Sequence, residues 1–328
     1  MNMTSLTSKM NMTTVIANKR SLISGGVVVA LLVVLTAVPR YAPGYPVIFM
    51  AGILMNIILT LSWVMFSAPT GYISLATAAF VGVGIYTSAI LGTSLPLLVV
   101  VFLGGVSSFC LAVIVGGLTL RLKGIYFAVF TFALVELIKN FALFFELHVT
   151  GTRGRFVIPV DSHIVFYVLV GIFVMLLLTT YLIRRSKFGL ALQSIGQNEE
   201  AAAHIGINVT LVKIITFAIS AFFIGAAGAI VATRLTYIDP GIAFNPLFSF
   251  TPVLMALFGG TGQLYGPVLG AAVFTYLEET LITSKYAELY QLLMGTILII
   301  TILYLPRGLV GLVENLRKWV SGGQHATT

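Results

Sequence analysis

The chain has 328 residues, 59% hydrophobic and only 9% charged, with a mean hydropathy of +1.06. A soluble domain carries about a quarter charged residues, so this composition excludes one and implies an integral membrane protein. Its net charge of +8 points to cytoplasmic-side basic residues and anionic lipid rather than to nucleic acid, and the single cysteine, Cys110, leaves neither an internal disulfide nor a thiolate metal cluster.

A run of about 20 apolar residues spans a bilayer core, and ten apolar segments follow one another along the chain. The first, Leu22–Val38, is too long for a signal h-region and lacks a small-residue cleavage site, so it reads as a retained span. Val47–Phe66 follows; its polar residues Asn56 and Ser62 predict hydrogen bonds between helices or contact with a solute. Trp63 near its end, and Trp319 far downstream, read as anchors in the interfacial aromatic belt. Gly71–Leu91 opens on a stretch dense in small residues that includes Ser74 and Thr77, candidates for the same polar roles. Gly262–Phe274 has the same character, which fits either a weak internal duplication or two independent packing faces.

Leu97–Leu118 and Ile125–Phe145 come next, and the latter holds Glu136, Lys139 and Asn140. A charge at mid-depth is costly and marks a functional candidate. Lys139 lies three residues from Glu136 on the same helical face, so the two read either as an internal ion pair or as part of a solute path. The outer segment Glu146–Asp161 is long enough to pack over an outer mouth or meet a binding protein, or simply to be solvated. Ile164–Ile183, Val212–Thr233, Leu247–Phe258, Gly266–Ile282 and Leu289–Leu305 complete the set. The eighth and ninth are short and Gly-broken, which suggests a hairpin whose full crossing the sequence leaves open.

With the N-terminus inside, twelve Lys and Arg fall on inner segments, five on outer ones and one within a span. That asymmetry predicts cytoplasmic termini and a cytoplasmic Arg184–Gly206 loop. In this loop Asn198, Glu199 and Glu200 are placed to cap a short helix and complement its dipole. Ala201, Ala202 and Ile205 are expected on one mildly apolar face, His204 at the surface, and Gly206 as the helix stop. An interfacial helix would carry basic residues and larger apolar ones. Acids and alanines suit docking into a shallow groove on another protein. No Gly-x-x-x-x-Gly-Lys-Ser/Thr loop is present to cradle nucleotide phosphates, and no His, Cys, Asp and Glu grouping has metal spacing.

The stretches Gly71–Phe80 with Gly82–Tyr86, Leu120–Tyr126, Arg185–Gly189, Glu200–Val209, Gly259–Gly262, Leu264–Gly270 and Leu305–Leu309 occur in an order and spacing that resembles the M-type permease subunits of branched-chain amino-acid ABC importers. The likeness runs from about Tyr45 to about Val313. It implies an all-α, polytopic transmembrane bundle of about ten spans with the type II, cobalamin-importer-like permease architecture. Residues 1–20 would be a cytoplasmic N-terminal segment, 21–312 the permease domain with a coupling loop at 184–211, and 313–328 a cytoplasmic tail. The implied partners are a second permease subunit, two ABC ATPase subunits and an extracytoplasmic solute-binding protein in a bacterial inner membrane. Glu199, Glu200, Ala201, Ala202, His204 and Gly206 would form the loop that enters the ATPase, with ATP and magnesium used by those partners and no cofactor or metal bound by this chain. The expected activity is non-enzymatic: import of branched-chain or related hydrophobic amino acids. Urea, short amides and other amino acids remain as alternatives, and an ion-coupled transporter using Glu136 is a further one.

Overall fold

The computed structural model describes residues 44–263 and 265–283, together with Pro39, Leu292, Gly295, Thr296, Ile299, Leu303 and residues 308–311. The expected first span, most of the tenth, and Trp319 lie outside the described residues. Residues 1–48 divide from Phe49–Thr328 as a unit of their own, and the packing described below belongs to the second unit.

In hydrocarbon a backbone amide has no water to bond, so apolar segments must close their hydrogen bonds within a helix. Accordingly the chain runs as α1 (Tyr45–Thr70), α2 (Thr77–Leu91), α3 (Leu97–Thr119), α4 (Ile125–Phe145) and α5 (Ser162–Arg185). After the short helices α6 (Lys187–Gln197) and α7 (Glu199–His204) come α8 (Val209–Ala232), the four-residue α9 (Pro240–Ala243), α10 (Leu247–Gly259) and α11 (Tyr265–Ile282). Among the described residues, six helices are long and apolar enough to cross a membrane, α9 and α10 counting together as one run. The expected eighth segment thus gains length from α9.

One expectation is corrected at the third segment. The helix starts at Thr77, not Gly71, which leaves α2 only 15 residues long. Residues Gly71 to Ala76 are non-helical, with Gly71 at φ +73° in the left-handed region. Such backbone is tolerated at membrane depth only where protein groups satisfy it, and here side chains from three other helices do so. Thr131 Oγ1 of α4 accepts from Leu75 N at 3.1 Å. Ser249 Oγ of α10 accepts from Ala78 N at 3.0 Å and donates to Leu75 O at 2.6 Å. Trp63 of α1 donates its indole N–H to Ser74 O at 2.8 Å. Trp63 is therefore a core residue, packed with Val64, Val253 and Ala256, and not a belt anchor.

The core lies where α2, α3 and α8 meet. Small residues let backbones approach closely in lipid. A Cβ on Gly84 would stand 2.1 Å from Gly225 O, so this α2–α8 contact requires glycine. Phe217 of α8 gathers Phe66 and Phe80 at ring-centroid distances of 4.9 and 5.3 Å. Asn56 donates to Thr275 Oγ1 at 3.0 Å, tying α1 to α11 through an interhelical bond.

At the end of the bundle that includes Glu146–Asp161, the segment is more built than a solvated loop. A π-helical turn, Glu146–Thr150, prolongs α4. Arg155–Phe156 (β1) pairs antiparallel with Tyr237–Ile238 (β2). The Glu146 carboxylate is buried, accepting from Tyr86 Oη and from Gly154 N, each at 3.0 Å. Arg153 pairs with Asp239 at 3.6 Å, while His148 remains exposed and stacks on Phe144.

Candidate functional site

The polar connection between α5 and α8 folds as a helical hairpin. Ser186 caps α6 by accepting from Gly189 N at 3.3 Å. Leu192 and Ile195 of α6 then pack with Ala202 and Val212 in a small apolar cluster. Asn198 ends α6 and begins α7; its Oδ1 accepts from the amides of Glu200 and Ala201, both at 3.0 Å. This N-cap satisfies donors that have no partner within the helix. At the other end Gly206 has φ +88°. Gly206 N donates to Ala203 O at 3.0 Å and Ile207 N to Ala202 O at 3.2 Å, the paired bonds of a Schellman stop.

The capped helix presents two faces. Glu200 is 81% exposed in its side chain and lies 3.5 Å from Lys123. Ala201, His204 and Ile205 are exposed with it, whereas Ala202 turns inward and is 2% exposed. The expected single face of Ala201, Ala202 and Ile205 is thus divided. Packing against Leu192 and Val212 draws Ala202 into the protein and leaves Ile205 outside.

Glu199 is the inward anchor. Its Oε1 accepts from Lys213 Nζ at 2.7 Å and its Oε2 from Tyr72 Oη at 2.7 Å. Lys213, 1% exposed in its side chain, also donates to Leu120 O at 3.2 Å and to Tyr72 Oη at 3.1 Å. Its ammonium lies 4.4 Å from the centre of the Tyr72 ring, a cation–π contact. Burial acts to raise the Glu199 carboxyl, but hydrogen bonds from Lys213 and Tyr72, with the Lys213 and Lys123 charges, outweigh it and hold the group below the ordinary carboxylate range. One side chain of the exposed helix is thereby joined to α8, to the turn after α3, and to the non-helical Gly71–Ala76 stretch.

The other sequence candidates are dispersed. Asn56 bonds across to α11. Ser74 Oγ accepts from Ala76 N at 3.3 Å, and Thr77 is buried at the first position of α2. Glu136 and Lys139 form an ion pair on α4, partly exposed and away from α7. Sequence reading missed Tyr72 and Lys213. The available signal was a lysine inside an apolar run, since Lys213 sits in the first turns of α8 where a charge demands a partner. Among the described residues no group of three or more His, Cys, Asp or Glu could hold a metal ion.

The family described as branched-chain amino acid transport system / permease component matches residues 45–302. The high-affinity branched-chain amino acid transport system permease protein LivM of Salmonella typhimurium is 24% identical, over 89% of this chain and 76% of its own length. The L-arabinose ABC transporter permease protein AraH of Azospirillum brasilense is 24% identical over 73% of this chain and 74% of its own. The ribose import permease protein RbsC of Haemophilus influenzae is 30% identical over 37% of this chain and 38% of its own. No solved structure gives a significant match. A match across residues 45–302, on a chain folded as apolar helices around a capped polar hairpin, settles its membership: it belongs to the branched-chain amino acid transport system / permease component family and is a multi-pass, ABC-type permease subunit, not an enzyme.

Proposed function

We propose that this chain is one half of a permease pair that imports branched-chain or related hydrophobic amino acids, driven by two ATPase subunits and fed by an extracytoplasmic binding protein. In this reading the fold is the type II, cobalamin-importer-like arrangement with about ten spans. The permease domain occupies residues 21–312, the termini 1–20 and 313–328 are cytoplasmic, and the membrane is the bacterial inner membrane. ATP and magnesium act on the partner subunits.

One observation carries the mechanism. The exposed side of α7, with Glu200, Ala201 and His204, is free to enter a partner's cleft, while its other side is bonded to membrane helices through Glu199. A push on α7 is therefore borne by α8 through Lys213 and by the Gly71–Ala76 stretch through Tyr72. That stretch contacts α1, α4 and α10 through side-chain bonds to backbone, so it can redistribute load among several spans. Gly206 fixes where the helix ends, and Ala202 fixes its seat on α6. Alternating access then follows from motion of these helices, with no covalent chemistry required of this chain.

The amino-acid reading draws support from the family description and from the likeness to LivM over 89% of this chain. The arabinose and ribose permeases keep sugars as the competing solute class. The test is uptake by the assembled importer carrying Glu200→Ala with Gly206→Pro. Insertion and solute binding should persist while ATP-driven uptake is lost; undiminished uptake would overturn the coupling role.

A further inference from the structure

The helix α4 is the least covered of the long spans, with only 22% of its most apolar window buried inside the chain. Steps of about 100° per residue divide its surface into three faces. Phe127, Thr131 and Val135 are buried and face the core. Phe130, Leu137 and Phe141 are exposed and wholly apolar, as a lipid-facing side should be. The third face carries Val129, Phe132, Glu136, Lys139 and Asn140, none of them buried. Two outward faces of one span thus differ in kind, and only one suits hydrocarbon.

Depth sharpens the contrast. Glu136 lies eleven residues from Ile125 and thirteen from Val149, about 16 and 20 Å along the axis. Neither its carboxylate nor the Lys139 ammonium reaches a headgroup layer from there by snorkelling. The side chains of Glu136 and Lys139 are 39% and 26% exposed and form an ion pair. Asn140 donates to Glu136 O at 2.8 Å, which leaves its side-chain carbonyl for an incoming donor.

We infer that this face of α4 is a recognition patch for the head of a zwitterionic α-amino acid within the translocation path. The inference rests on the permease reading above and deepens it to the side chains that would recognise the solute. A carboxylate beside an ammonium is the complement of the ammonium and carboxylate that such a solute carries. When the solute inserts, the single Glu136–Lys139 pair becomes two: the solute carboxylate against Lys139 and its ammonium against Glu136. No net charge enters the membrane, and no buried charge is left unmatched. A neutral sugar offers only hydroxyls and leaves the ion pair closed, while a net anion or cation would leave one protein charge bare. Val129 and Phe132, on the same stripe, supply apolar surface for an aliphatic solute side chain.

The experiment is ligand-observed NMR on the purified full chain in phosphatidylethanolamine/phosphatidylglycerol nanodiscs. The probes are L-leucine, leucinol, 4-methylpentanoate and D-ribose. The wild-type chain should bind leucine about tenfold or more tightly than each of the others, the loss expected for one charge-assisted hydrogen bond. Glu136→Gln should erase the preference over 4-methylpentanoate, and Lys139→Gln the preference over leucinol. Equal binding of ribose and leucine by the wild-type chain overturns the inference, as does no leucine binding at all or unchanged leucine binding by E136Q/K139Q. If a variant fails to fold, discrimination among the four probes by the wild-type chain decides alone. The coupling reading fails separately: uptake that survives Glu200→Ala with Gly206→Pro refutes that reading and leaves the binding preferences untouched.

Discussion

Lys213–Glu199 and Glu136–Lys139 join the same two side-chain types, yet their surroundings assign them different work. In the first, the ammonium is 1% exposed and has a carboxylate, a phenol and a backbone carbonyl as partners. In the second, the two groups are 26% and 39% exposed in their side chains, and each is the other's one charged partner among the described residues. A pair whose donors are all satisfied is a structural joint, and opening it leaves a stranded charge. A pair with open valence can trade partners at little cost. The contrast shows that an ion pair in a membrane protein is read from its remaining partners rather than from its two charges.

The widest gap between the two pairs should appear on removing one acid from each. Glu199→Ala strands the buried Lys213 ammonium and is expected to cost about 3 kcal/mol, the low end for a broken buried pair, because Tyr72 and Leu120 remain as acceptors. Lys213→Met should cost less, since Glu199 is 26% exposed and can hydrate. Glu136→Gln should cost less than Glu199→Ala, because the Lys139 ammonium it leaves is 26% exposed on the face read as the solute path and can hydrate there. Unfolding of the three variants in mixed micelles orders them, and a Glu136→Gln cost equal to that of Glu199→Ala would erase the distinction.

An effect smaller than that of Glu199→Ala is expected at the end of α7. Gly206 at φ +88° has no Cβ to clash, and Gly206→Val imposes a strain of about 1–2 kcal/mol. Hydrogen exchange should report it as faster opening of the amides of Gly206 and Ile207, with global unfolding little changed.

Acid gives a graded version of the same comparison. Glu199 is held below its unfolded value, so its contribution is whole above the unfolded carboxylate range of about 4.3 and is lost as pH falls through the folded value. Stability of the wild-type chain should therefore drop at the acid end below about pH 4, and Glu199→Gln should flatten that limb. The smallest structural effect is reserved for Glu200→Ala, whose side chain is 81% exposed. Melting should match the wild type while nucleotide-driven uptake falls, and a large melting shift would move Glu200 from the docking side to the structural one.

Much of α7 was legible in sequence because capping is local. Asn198, the following acids and Gly206 mark a short helix by their own backbone chemistry, and the observed bonds fall at those positions. The Glu136–Lys139 pair was legible for the same reason, three residues apart on one helix. Ala202 was misplaced because α6 and α8, not the helix period, chose its direction. The start of α2 was misplaced because small polar residues resemble a helix-packing face, whereas the backbone of Ser74 and Leu75 takes side-chain partners from α1, α4 and α10. Trp63 was read as an interfacial anchor, and Glu146 as the start of an outer segment; both are buried by partners that include residues distant in sequence.

By itself the sequence determined that this chain lives in a membrane, the approximate course of most of the spans described, and that its polar hairpin carries a capped helix. Those properties follow from hydropathy, charge asymmetry and local hydrogen-bond chemistry, all of which act over a few neighbouring residues. Only the tertiary structure decided that Glu199 turns inward while Glu200 turns out, and that Tyr72 and Lys213 receive it. Tyr72 lies 127 residues before Glu199. A buried charge takes whichever partners the packed helices bring to it, and that choice is made in space rather than along the chain.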